Sequence, residues 1–371
     1  MNVINIMWAG GSPFVSVHKV HQQILSLAAP GTSVINWLLQ GRALSDSAGS
    51  PSLEWNLSPR LIKGRHVWKL LGPWLRARFR KALLEADAGA VLLDGVGVAR
   101  LLLPVLRSLP SVRVAVLFHG ETRLSTADVS LLKSLPTSQM TLVAVSRTLA
   151  DALQGTTGLP VTVLRSALEP SCFEAALFAR EQARQTLGVS TDGVRVMGAV
   201  GRLVASKGFD YLIDAFAQAS RAHPDLRLFI LGEGAERVNL EARVERLGLL
   251  GKVILPGHFS GCDQLYRAFD WVLIPSYSEG LGLVLQEAVL AGVPVLCSDL
   301  AVFREQLGED GCYAPVGDTQ AWAQAIERCA ALPAVEVASA QYRALAPVQA
   351  WQTFSQTSRD LLAPVSASAG Q

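Results

Sequence analysis

Short apolar runs recur along the whole chain, and most are continuous rather than alternating. They lie at 2–7, 33–37, 90–94, 112–118, 141–145 and 161–164, then at 195–200, 227–231, 252–255, 271–274 and 294–297. A continuous run is how a strand reads when helices cover both of its faces. Helix-period segments fall between them, at 16–28, 76–86, 210–222, 235–247, 262–268 and 281–291. Strand–helix alternation of this kind predicts an α/β fold with doubly wound parallel sheets. Two series of runs predict two Rossmann-like domains. The break between the series falls near 165–190, where Gln185-Thr-Leu-Gly-Val-Ser-Thr-Asp-Gly193 reads as a turn. A length of 371 residues agrees, at roughly 100–200 residues per domain. The small, polar stretch 364–371 reads as a frayed tail.

Half the residues are hydrophobic and 17% are charged, which excludes a disordered or fibrous chain. The net charge of +2 conceals an asymmetry. Residues 1–165 carry 17 Lys/Arg and 8 Asp/Glu, whereas residues 166–371 carry 16 and 23. A basic first part predicts an anionic partner: a phosphate-bearing substrate, a membrane surface or nucleic acid. The five cysteines form no CxxC pair and read as reduced thiols of a cytoplasmic protein. The N-terminus lacks the pattern of a signal peptide, and no uncharged apolar run reaches the length of a membrane span.

Segment 60–81 stands apart. Arg60, Lys63, Arg65, Lys69, Arg76, Arg78, Arg80 and Lys81 are interleaved with Trp68, Trp74, Leu75 and Phe79, with no acid before Glu85. This mix predicts a helix pair lying on an anionic bilayer surface, with Trp68, Lys69, Trp74, Arg76, Arg78 and Arg80 at the contact. The plainer reading is an amphipathic helix packed on its sheet. Nucleic-acid binding is not expected, because the aromatics do not alternate as on a strand platform.

Two loops carry the chemistry. After the run Trp271–Ile274, the stretch Ser276-Tyr-Ser-Glu-Gly-Leu-Gly-Leu-Val-Leu-Gln-Glu287 opens a helix through Gly280 and Gly282. A helix start offers free N–H groups and a positive dipole end, so it suits a phosphate. Glu279 and Glu287 could bond hydroxyl-bearing rings on either side of a diphosphate. After the run at 195–200, Gly201-Arg202-Leu-Val-Ala-Ser-Lys207-Gly208 sets two cations in one glycine-bounded loop. Arg202 supplies a planar fork and Lys207 a mobile point charge for the same diphosphate.

These loops closely resemble the signature of glycosyltransferase family 4. Gly201–Gly208 matches its G-R-x-x-x-x-K-G, and Glu279 to Glu287 matches its E-x7-E. Leu231-Gly232-Glu233-Gly234 is similar to its G-x-G turn, and Pro256-Gly257-His258-Phe259 to the loop bordering the base. In the first half, Gly10-Gly11-Ser12 is similar to the family's glycine loop and Phe118-His119-Gly120 to its HG step. Trp351–Leu362 resembles the final helix that crosses back onto the first domain. The resemblance implies a GT-B fold, with two Rossmann-like domains facing across a cleft. The boundaries it implies are 1–168 for the acceptor side, with the helix about 350–363 packed back on it, and 169–349 for the donor side.

The resemblance also implies a retaining, metal-independent transferase with no cofactor beyond its nucleotide-sugar co-substrate. Glu287 would bind ribose, and Glu279 the donor sugar. The N–H groups of Gly282 and Leu283 would meet sugar or phosphate. His119 would lie near the reacting carbon, and Gly10 and Gly11 would close over the diphosphate. Position 281 is Leu281 where the family has an aromatic, and Val163–Glu169 lacks the family's Pro, Asn and Gly, with Arg165 as a replacement cation. An anionic or lipid-linked acceptor at the cytoplasmic face of the inner membrane fits the basic first part. Lipopolysaccharide core comes first, and exopolysaccharide or another lipid-linked glycan next. A glycosyl phosphorylase or epimerase on the same fold, and a binding protein without activity, are the competing classes.

Gly95-Val-Gly97-Val-Ala-Arg100 looks like half a dinucleotide fingerprint, but Arg100 occupies its third small position and no acid follows at the required distance. His18, His21 and His66 read as surface or packing residues rather than ligands. Ser146 reads equally as a helix cap or as part of a family step.

Overall fold

The computed structural model describes residues 2–9, 15–41, 51–58, 65–189, 193–259 and 261–363, without the side chains of 9, 15, 16 and 65–71. The chain divides into two compact units. One runs to Ser166 and takes in the residues from Thr353, and the other is Ala167–Gln352.

The first unit is built on β1 (Asn2–Ala9), β2 (Ser33–Gln40), β3 (Ser52–Glu54), β4 (Ala88–Asp94), β5 (Arg113–Phe118), β6 (Met140–Ala144) and β7 (Val161–Val163). These form one parallel sheet in the order β3-β2-β1-β4-β5-β6-β7. Ala90 to Leu93 on β4 and Val114 to Phe118 on β5 are buried without interruption, which is why those runs do not alternate. Around the sheet lie α1 (Val15–Leu25), α2 (Arg65–Glu85), α3 (Gly95–Leu106) and α4 (Thr126–Leu132). The strand order reverses between β1 and β4. Ligands of such sheets bind beyond the carboxyl ends of the strands at that point.

The second unit holds β8 (Arg195–Val200), β9 (Leu226–Leu231), β10 (Val253–Gly257), β11 (Trp271–Ile274), β12 (Val295–Ser298) and β13 (Cys312–Ala314), parallel in the order β10-β9-β8-β11-β12-β13. Alternate residues of each strand feed two cores. Met197, Leu228, Ile230, Trp271 and Leu273 pack on α5 (Phe209–Ala222) and Trp322. Val196, Phe229, Leu231, Val272 and Ile274 pack on α6 (Leu283–Leu290) and Phe303. Burying each such side chain contributes about 1.5–3 kcal/mol, so both faces of the sheet are tightly specified. Here the order reverses between β8 and β11. A last helix, α7 (Pro347–Leu362), spans the boundary at 352, and Arg113 Nη1 donates to its end at Asp360 O and Ala363 O, 3.0 Å each.

Three expectations are corrected. A helix pair was expected at 60–81; over the described part, from Arg65, α2 is a single helix that runs through Pro73, and 60–64 lie outside the described residues. Leu75, Phe79 and Leu83 are buried at i, i+4 spacing, and this buried stripe outweighs the break that proline favours. The helix expected at 262–268 is a run of tight 3₁₀ turns, Cys262–Ala268. Two edge strands, β3 and β13, had no counterpart in the apolar pattern. Each has three residues, and Leu53 on β3 is exposed.

Candidate functional site

In the second unit the two chemistry-bearing loops leave neighbouring strands at the switch point. Gly201 to Gly208 follows β8, and Pro275 to Gly282 follows β11. They are stitched together by backbone and side chain. Tyr277 N donates to Ser206 O at 2.9 Å, and the Tyr211 hydroxyl donates to Pro275 O. Gly208 has φ 66, and a Cβ there would sit 2.1 Å from Pro275 O, so only glycine lets the loops meet this closely.

Across this junction Lys207 Nζ donates to Glu279 Oε1 at 2.5 Å, and Ser276 Oγ donates to the same oxygen at 2.7 Å. Both charged side chains are largely covered, at 22% and 13% exposed. Arg202, in the same loop, is exposed, and its guanidinium makes no hydrogen bond or ion pair among the described residues. The site therefore holds one cation fixed by a carboxylate and one available to an anion.

Gly280 and Gly282 lead into α6, whose first residue is Leu283. Gly282 has φ 79, and its missing Cβ makes room for Phe303, whose ring would lie 2.5 Å away. Its glycine is thus required by packing as well as by access to the helix start. Leu281, which stands where the resembled family has an aromatic, is buried, and its carbonyl accepts from Gln306 Nε2 at 2.7 Å. Glu287 lies in the second turn of α6, buried, and accepts the Tyr266 hydroxyl at 2.7 Å. Burial pushes the Tyr266 phenol well above its ordinary value, and the Glu287 charge adds to this. Gly232 follows β9 and donates its N–H to Gly257 O at 2.9 Å. His258 is exposed and Phe259 half-buried in the loop after β10.

The first unit gathers a second group at its own switch point. Asp94 ends β4, His119 follows β5, His21 lies on α1 and Asn5 on β1. His21 was expected at the surface or in packing. It is fully buried, with Nδ1 2.7 Å from Asn5 Oδ1 and Nε2 3.0 Å from His119 Nε2. Asp94 Oδ1 is 3.8 Å from His119 Nε2, and its Oδ2 accepts the Trp8 N–H at 3.2 Å. Burial holds His119 down at about 4. It also holds His21 well below the usual range, with the neighbouring His119 and His18 adding to the effect. Burial raises Asp94, opposed by the Trp8 hydrogen bond and by His18. Gly10 and Gly11 lie outside the described residues.

On α2, Trp74 is 60% exposed, and Arg76, Arg78 and Arg80 face solvent. The Arg78 guanidinium stacks 4.9 Å from the Trp55 ring centre and 5.8 Å from that of Trp74. Arg80 Nε donates to Ser108 Oγ at 3.3 Å. The side chains of Trp68 and Lys69 lie outside the described residues. No helix among the described residues is long and apolar enough to cross a membrane.

Sequence reasoning missed His21, Asn5 and Tyr266. None belongs to a local motif: Asn5 and His119 stand 16 and 98 residues from His21, and Tyr266 stands 21 residues from Glu287.

Two parallel Rossmann-like units, the second with an anion-ready loop pair at its switch point, define a GT-B fold. Residues 180–342 match the family model of glycosyl transferases group 1. A 2-deoxystreptamine glucosyltransferase from Streptomyces kanamyceticus is 29% identical over 171 residues, 46% of this chain and 44% of its own length. A lipopolysaccharide core biosynthesis mannosyltransferase from Rhizobium meliloti is 28% identical over 167 residues, 42% of this chain and 47% of its own. The chain thus spans less than half the length of these curated relatives. The Anabaena protein HepE, solved in complex with UDP-glucose, superposes with a TM-score of 0.76 at 19% identity, covering 98% of each chain. That likeness bears on fold alone.

Proposed function

We propose that this protein is a retaining glycosyltransferase that moves a hexose-type sugar from a nucleotide-sugar donor to a cell-envelope glycan. The observation that carries this is the Lys207–Glu279 pair at the β8/β11 switch point, set beside the uncommitted Arg202 and the start of α6. Departure of a nucleoside diphosphate builds negative charge on a phosphate oxygen. Preorganised cations and helix N–H groups aimed there supply the largest catalytic contribution. Lys207 and Arg202 serve that need from the chain itself, so the reaction is assigned as metal-independent. Glu279 is held by Lys207 and Ser276 and binds the sugar rather than attacking it. The acceptor oxygen attacks the anomeric carbon on the face the diphosphate leaves. The carbon–phosphate-oxygen bond breaks, and the acceptor proton passes to the departing phosphate. Glu287, oriented by Tyr266, binds the ribose. His258 and Phe259 border the base, and His119 is the first unit's contribution to the chemistry.

Lipopolysaccharide core is the first choice of acceptor. It fits a cytoplasmic, peripheral enzyme whose α2 turns Trp74, Arg76, Arg78 and Arg80 outward, because its phosphates and acidic sugars complement that charge. The Rhizobium relative named for lipopolysaccharide core biosynthesis supports the same choice.

A thermal-shift and hydrolysis screen with UDP, GDP, ADP and their sugars tests the reading, since a ligand that binds only the native state raises its stability. One nucleotide series is expected to stabilise the protein, with slow donor hydrolysis that Glu279→Ala abolishes. Absence of both binding and hydrolysis across the panel would overturn it.

A further inference from the structure

The group at the first unit's switch point brings two imidazole nitrogens and a carboxylate oxygen to one place. His21 Nε2, His119 Nε2 and one Asp94 oxygen all lie within 4.8 Å of one another. Two of the separations are 3.0 and 3.8 Å. A four-coordinate ion with bonds of about 2.0–2.2 Å holds its ligand atoms about 3.2–3.6 Å apart. The third lies within 4.8 Å, so side-chain movements of up to about 1 Å would seat all three atoms on one ion.

We propose that His21, His119 and Asp94 form a three-ligand site for a borderline divalent transition-metal ion, with zinc as the reference case and one coordination position open to solvent. Two imidazoles and one carboxylate suit zinc, cobalt or nickel, whereas magnesium and calcium take oxygen shells.

The surrounding bonds already orient the ligands. Asn5 Oδ1 can only accept, so His21 Nδ1 carries the proton and Nε2 turns its lone pair toward the cluster. Asn5 is itself fixed by donating Nδ2 to Asn36 Oδ1 at 2.8 Å. An imidazole anchored through its other nitrogen is the usual second layer of a metal centre. On Asp94 the Trp8 N–H engages Oδ2 and leaves Oδ1 facing the imidazoles. Among the described residues no lysine or arginine neutralises this largely covered carboxylate. His119 and Asp94 are 16% and 15% exposed while His21 is fully buried, so the cluster has a closed floor and an open mouth.

One consequence rests on the functional reading above. His119 Nε2 cannot hold an ion and serve the sugar at once, so an occupied site inhibits transfer. The binding itself requires no donor and stands or falls separately.

The test titrates the tag-free, metal-free full chain with zinc against a chromophoric chelator. One site per chain is expected. It should survive Cys172→Ser, Cys262→Ser and Cys312→Ser, which remove the thiols that are not fully buried, and weaken at least tenfold in both His119→Gln and Asp94→Asn. These two positions are near the surface, so the result does not depend on whether the buried His21→Gln variant folds. Cobalt should give the visible spectrum of a four-coordinate nitrogen and oxygen site. No stoichiometric binding, loss of the site in the cysteine variants, or full retention in His119→Gln and Asp94→Asn would overturn the proposal. Binding as expected with transfer indifferent to zinc would uphold the site and remove His119 from the catalytic reading.

Discussion

Lys207 and Glu279 come from different glycine loops, 72 residues apart, and meet at 2.5 Å. The pair divides the work between charge and recognition. Lys207→Ala should weaken UDP binding about 10- to 100-fold, the range for one charge-assisted hydrogen bond of about 1.5–3 kcal/mol. Glu279→Ala should leave UDP binding within a few fold, because it frees the lysine, while lowering sugar transfer by about 100-fold or more, the scale seen when a preorganised active-site contact is lost. Calorimetry with UDP beside turnover of the donor separates the two. Equal losses of UDP affinity in both variants would show that the pair acts only as a structural clasp.

Tyr266 and Glu287 are buried together, and the phenol donates to that carboxylate. Tyr266→Phe keeps the ring's packing and removes one hydrogen bond. It should cost about 1.5–3 kcal/mol in urea unfolding, the range for losing one hydrogen bond to a charged group. Nucleotide affinity should fall a few fold with no change in sugar preference, since Glu287 is assigned to the ribose. A change in sugar preference would place Glu287 elsewhere.

The exposed face of α2 makes a prediction about surfaces. Arg76, Arg78 and Arg80 turn outward beside Trp74, while Leu75, Phe79 and Leu83 anchor the helix. The protein should pellet with anionic vesicles at low salt and release at high salt, at roughly 1 kcal/mol per basic residue near the surface. The combined Arg76→Ala, Arg78→Ala and Arg80→Ala variant should stay in solution with its stability little changed. Equal pelleting of that variant would assign α2 to ordinary solvation.

The sheets could be read in the chain because both faces of each are buried. Met197 and Val196 serve opposite cores from adjacent positions, so the run through β8 had to be continuously apolar. The loops after β8 and β11 were equally visible, because each carries its charges within a few residues of its glycines. What stayed hidden depends on distant partners. His21 sits on α1 like any amphipathic histidine, and only folding sets it against Asn5 and His119. The edge strand β3 pairs three residues with β2 and leaves Leu53 in solvent, so it lacks the burial that marks the others. The mix of cations and tryptophans at 60–81 suggested two helices, but from Arg65 the buried stripe of Leu75, Phe79 and Leu83 holds one.

Arg100 broke the apparent dinucleotide fingerprint, and the fold gives it a structural partner instead. Its Nε and Nη2 bond the two oxygens of Asp128 at 2.7 and 2.8 Å. Asp128 also caps α4: it accepts Ser125 N at 2.8 Å, while its own N–H reaches Ser125 Oγ at 3.2 Å. The Arg100 hydrogen bonds hold its carboxyl well below the usual carboxylate range, and the Ser125 bonds add to this against the cost of burial. A carboxylate depressed in the native state stabilises the fold fully above its unfolded value. That contribution is lost as pH falls through the unfolded value toward the native one. The difference in unfolding free energy between the parent protein and Asp128→Asn should therefore be constant from neutrality to about pH 5 and shrink below that, as expected of linkage. At neutral pH the variant should be about 1–3 kcal/mol less stable, since it loses a charge-assisted pair and weakens a capping box. Urea unfolding of both proteins at a series of pH values measures this. A difference that stays flat into the acid range would show that the Arg100–Asp128 bond adds no charge-dependent stability.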